Sequence, residues 1–161
     1  MTIKSLLAFV IFPVVGLFLL NSCTDEDTYP VTPEINFKSL EIFQNSSQQD
    51  SVILTFSFTD GDGDIGSITT DSLSRDVFIK FYELRNGVFI PFDDPFGAFN
   101  YRIPYLEPRG NNKSLKGDIR INVDYNVLQP NDTVKYELYL KDRAGHQSNT
   151  VVTSTIVTRV Q

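Results

Sequence analysis

The sequence predicts an all-β fold, an antiparallel β-sandwich of about seven to eight strands, and three observations carry that expectation. Apolar and polar residues alternate through short segments, as in Val52, Leu54, Phe56 and Phe58, the period of a strand with one buried face. Turn residues separate these segments at fairly even spacing. No segment sustains a helical period or heptads, and no unit repeats along the 161 residues.

Taken in order, a first strand is expected over residues 35–43, a polar turn at Ser46-Ser47-Gln48-Gln49-Asp50 and a second strand over 51–59. Residues 77–84 are strongly apolar and aromatic, and Asn86-Gly87 favours a type I′ hairpin into 88–92. Asp93-Asp94-Pro95 breaks that strand; residues 98–104 form another short one, and 108–116 a polar loop around Gly110-Asn111-Asn112. Ile119, Ile121, Val123 and Tyr125 alternate on a later strand, Val134, Tyr136, Leu138 and Leu140 on the next, and residues 150–160 close the chain. With no Trp, the interior must be filled by Phe and Tyr. Phe89, Phe92 and Phe99 are expected in the core, which leaves Phe96, Tyr101 and Tyr105 as a candidate platform for a sugar or a partner protein.

The second strand runs into Asp60-Gly61-Asp62-Gly63-Asp64-Ile65-Gly66. Its glycines let the backbone curl until three carboxylates converge, and converging carboxylates need a cation or water among them. A hard, oxygen-only donor set selects Ca²⁺ over zinc or copper, so Asp60, Asp62, Asp64 and Asp71 are candidate metal ligands. The spacing resembles the start of an EF-hand or dockerin-type loop. Ile65, however, stands where the EF-hand requires Gly, Asp71 is shorter than the usual terminal Glu, and the flank is a strand instead of a helix.

Residues 1–22 read as a targeting segment, with Lys4 at its positive start and an apolar run to Leu20 that Pro13 and Gly16 make too short for a comfortable span. Leu19-Leu20-Asn21-Ser22-Cys23 resembles the lipobox of bacterial lipoproteins, departing from it at Asn21. The resemblance implies a lipid on Cys23, the only cysteine, and hence a membrane anchor. Thr24 replaces the Asp that would favour inner-membrane retention, and Asp25-Glu26-Asp27 resembles the surface-export signal of Bacteroidota lipoproteins, which implies an outer-membrane, surface-exposed location. Residues 23–34 then form a flexible acidic tether and 35–161 a single domain. Net charge is −6, which argues against nucleic acid as a partner.

The segment Leu128-Gln129-Pro130-Asn131-Asp132-Thr133-Val134-Lys135-Tyr136, followed by Lys141-Asp142-Arg143-Ala144-Gly145-His146, resembles the last hairpin of fibronectin type III and bacterial Ig-like domains. Tyr136 stands where those folds carry a corner tyrosine, while the missing Cys…Trp…Cys core excludes an antibody-type domain. An Ig-like strand order implies that the loop after the second strand and the loop between the last two share one pole, which would bring Asp142 to the acidic loop, with Asp93 and Asp94 nearby. One His, expected as an exposed turn residue, and one Cys do not assemble a nucleophilic site, and there is no phosphate-binding or dinucleotide motif. The expectation is a non-enzymatic lipoprotein with a Ca²⁺-binding Ig-like domain that contacts a surface protein; the alternative is a carbohydrate-binding accessory of a glycan-uptake system.

Overall fold

In a computed structural model of the chain, the described residues are 28–44, 50–67, 74–92, 99–108, 112–123 and 133–157. They form β1 (Glu34–Gln44), β2 (Asp50–Asp60), β3 (Val77–Arg85), β4 (Val88–Pro91), β5 (Asn100–Tyr101), β6 (Leu115–Val123), β7 (Thr133–Leu140), β8 (Val151–Val152) and β9 (Ile156–Val157). One sheet runs β1-β2-β6; the other runs β4-β3-β7-β8, with β5 added to β3 and β9 to β7. All named strand pairs are antiparallel, and the two sheets enclose one core as a β-sandwich.

The alternation read from the sequence supplies the inner faces: Val52, Leu54, Phe56 and Phe58 from β2, Val77, Ile79 and Phe81 from β3, and Val134, Tyr136, Leu138 and Leu140 from β7 are all buried. Phe81 is the centre of an aromatic cluster, its ring 5.4 Å from Phe92, 5.6 Å from Phe99 and 5.7 Å from Tyr136. In β1 the apolar parity switches, from Ile35 and Phe37 to Leu40 and Ile42. A register shift between Phe37 and Ser39 absorbs the extra residue, so all four align with the apolar positions of β2. Asn86, at φ 52°, and Gly87, at φ 80°, form the expected hairpin turn.

Three expectations change. β6 starts at Leu115, inside the expected 108–116 loop, because it pairs with β2 along its whole length; Gly117, against the Phe58 ring, hides the alternation there. The closing strand splits into β8 and β9, which raises the count to nine. Between them Thr153 replaces a ladder rung: its hydroxyl accepts from the Tyr136 amide at 3.0 Å and its own amide donates to the Tyr136 carbonyl at 2.9 Å. Finally, Phe92, although its ring meets Phe81, is exposed, and Phe89 is not core either. Its register opposite Leu84 puts it on the outer face, where the Lys135 ammonium lies 4.4 Å from its ring.

Phe81→Ala should cost about 3–5 kcal/mol of stability, since the cavity opens among three other rings. Phe89→Ala should cost about 1 kcal/mol or less. Urea unfolding of the full-length chain in detergent measures both, and similar losses at the two sites would contradict the assigned register.

Candidate metal centre

β2 delivers Asp60 to the end of the inner face, where it is fully buried. Its Oδ2 accepts the amides of Gly63 at 2.8 Å and Asp64 at 3.1 Å, turning the chain back on itself. Gly63 takes φ 72°, and a Cβ there would fall 2.3 Å from the Lys113 carbonyl oxygen, so glycine is required on both counts. Ile65, the residue that breaks the EF-hand pattern, is completely buried in the hydrophobic core. It fastens the loop to the sandwich, and this local fold therefore differs from a helix-flanked calcium loop.

The loop after β7 supplies the second half. Asp142 is buried and accepts the His146 amide on Oδ1 and faces His146 Nδ1 through Oδ2, both at 2.8 Å. The Arg143 amide donates to the Asp64 carbonyl at 3.1 Å, and the Ala144 amide to Asp64 Oδ2 at 2.9 Å. The Arg143 guanidinium donates to the carbonyls of Gly63, Ile65 and Gly66. These contacts bring one carboxylate oxygen each from Asp60, Asp64 and Asp142 within 4.8 Å of one another. Asp60 ends a strand of the first sheet and Asp142 follows a strand of the second, so the cluster spans the sandwich.

Hydrogen bonding does not satisfy this cluster. Oδ1 of Asp60, of Asp62 and of Asp64 are each buried without a partner. Asp76 shows what a structural carboxylate in this fold looks like: also buried, it accepts Ser67 Oγ at 2.6 Å and the Ile103 amide at 2.7 Å, one on each oxygen. An unpartnered buried carboxylate oxygen is costly unless a cation compensates it. Burial pushes the Asp60 carboxyl up to about 6, against the pull of the Asp64 and Gly63 amides and with a further push from the charges of Asp62 and Asp64. Burial also raises Asp64, opposed by the Ala144 amide and reinforced by the charges of Asp142 and Asp62. His146 is exposed and raised by its hydrogen bond to Asp142 and then by that residue's charge. The donors are all oxygen, the chemistry of a hard divalent cation, and Ca²⁺ suits a flexible carboxylate set of this kind.

Of the sequence candidates, Asp60, Asp64 and Asp142 come together, and Asp62 adds an unpartnered oxygen in the same loop without belonging to the 4.8 Å group. Asp71, Asp93, Asp94, Cys23, Asp25-Glu26-Asp27 and Phe96 lie outside the described residues. Tyr101 is half-buried and packs against the core, while Tyr105 is exposed with the Arg143 guanidinium 4.7 Å from its ring centre. Sequence reasoning missed Arg143, although a cation immediately after Asp142, in a loop expected at the acidic pole, was the available signal. His146 is exposed as expected and also holds Asp142 in place. No family model matches the chain, and no curated protein is detectably similar to it.

A carboxyl raised by folding holds its proton more tightly in the folded than in the unfolded state. Asp60 therefore contributes most stability below its ordinary 3.8, and that contribution is lost as pH rises through about 6. In chelator-treated protein the loss attributable to Asp60 should be about 3 kcal/mol across this window, and Asp60→Asn should abolish it. Urea midpoints against pH, with and without the substitution, measure the difference; identical profiles would contradict the burial of this charge.

Proposed function

We propose that the chain is a cell-envelope lipoprotein, anchored through lipid on Cys23 at the outer membrane, whose Ig-like domain binds Ca²⁺ at its acidic pole and engages a protein partner at the cell surface. The observation that carries the calcium reading is the set of buried, unpartnered Oδ1 atoms of Asp60, Asp62 and Asp64 beside Asp142. The anchor rests on the apolar leader that ends at the only cysteine. A bound ion would tie Asp60 of one sheet to Asp142 of the other and act as an inter-sheet clasp in a sandwich that has no second cysteine for a disulfide. A second reading, a carbohydrate-binding accessory protein, draws on an open groove next to this pole, lined by Phe58, Tyr105, Glu107, Leu115, Lys116 and Asp118.

Calcium added to the full-length chain in detergent, after chelation, should bind with measurable heat and raise the melting temperature progressively, because it binds the folded state alone. Asp62→Ala should weaken that binding by about ten-fold or more and raise the calcium-free melting temperature, since it removes a buried, unpartnered carboxylate oxygen whose charge opposes those of Asp60 and Asp64. Absence of both heat and stabilisation at millimolar Ca²⁺ would refute the calcium reading.

A further inference from the structure

The segment leading into β1 lies directly on the acidic loop. The carbonyl oxygens of Tyr29 and Pro30 face Gly61, between Asp60 and Asp62, so closely that a Cβ there would fall 2.2 Å and 2.7 Å from them. Tyr29 is half-buried and Pro33 is buried. Two residues further on, Ile35 exchanges two hydrogen bonds with the Asn149 side chain, each 2.8 Å. That bidentate contact fixes the start of β1 to the loop that carries Asp142. Carbonyl oxygens this close leave no room for a side chain at Gly61, so the segment keeps its seat only while the loop holds this path, along which the carboxylates of Asp60, Asp62 and Asp64, unpartnered at Oδ1, repel one another. A cation among the acids removes that repulsion.

We infer that residues 28–33 are the cover of the metal centre: Ca²⁺ among Asp60, Asp62, Asp64 and Asp142 seats this segment on the acidic loop, and loss of the ion releases it. The inference rests on the calcium reading above and adds its consequence. The same segment connects the sandwich to the residues around Cys23, so ion occupancy decides whether the domain is held close to its anchor or hangs from a longer, looser leash. Coupling of this kind is reciprocal, so displacing the segment must weaken calcium binding by the factor with which calcium strengthens its seating.

Tyr29→Trp places the chain's only tryptophan on the covering segment. In the full-length protein in detergent micelles, CaCl₂ should shift its emission to the blue and reduce its quenching by acrylamide several-fold, relative to chelated protein. Gly61→Ala, which puts a methyl where the Tyr29 carbonyl oxygen lies, should lower calcium affinity by about five-fold or more in calorimetry. Calcium binding seen by calorimetry, with tryptophan quenching unchanged and Gly61→Ala affinity unaltered, would overturn the inference and leave the metal centre standing. No heat of binding in the otherwise unmodified chain would overturn both.

Discussion

Negative charge gathered where two sheets meet is the constraint that shapes this molecule's acidic pole. Asp60 ends one inner strand and Asp142 follows another, and both are buried. Everything around them is arranged to hold them close: amides of Gly63 and Asp64 on Asp60, amide and ring of His146 on Asp142, and Ala144 on Asp64. Arg143 would neutralise such a cluster in an ordinary surface site. Here its guanidinium donates instead to the carbonyls of Gly63, Ile65 and Gly66 and covers the Tyr105 ring. It ties down the loop's backbone while Oδ1 of Asp60, of Asp62 and of Asp64 stays without a hydrogen-bond partner.

The sandwich beneath that pole is held by conventional means. Five strands from the two sheets contribute side chains to one core, within which the Phe81 ring packs against Phe92, Phe99 and Tyr136. Backbone pairing at the edge relies on hydroxyls: Ser148 serves Leu140 as Thr153 serves Tyr136, each through both its amide and its side chain. These two residues let an irregular segment satisfy β7 without becoming a continuous strand.

The fold class was legible because period-two alternation is a direct consequence of one buried face, and β2 and β7 express it throughout, with β3 following over residues 77–81. It failed where alternation was masked or mimicked. Gly117 concealed the first half of β6, hydroxyls split the last strand, and Phe89 read as core although strand register turned it outward. At the candidate site the three loop aspartates stood out from spacing alone, and strand order was enough to bring Asp142 beside them. The hydrogen-bond contrast between Asp76 and Asp60 was not legible: both are simply aspartates at strand ends, and only the packing of Ser67 and Ile103 distinguishes the satisfied one.

The two-residue length of β8 and of β9 has a bearing on how copies of this chain behave side by side. A continuous open strand is a template onto which an identical neighbour can add its own backbone. Here the β8 and β9 margin of the larger sheet offers only two residues at a time before Thr153 turns the amide inward to Tyr136. Copies meeting along this margin would find no run of backbone long enough to zip together, so strand-to-strand association would fall to β1 and β6, the long margins of the smaller sheet.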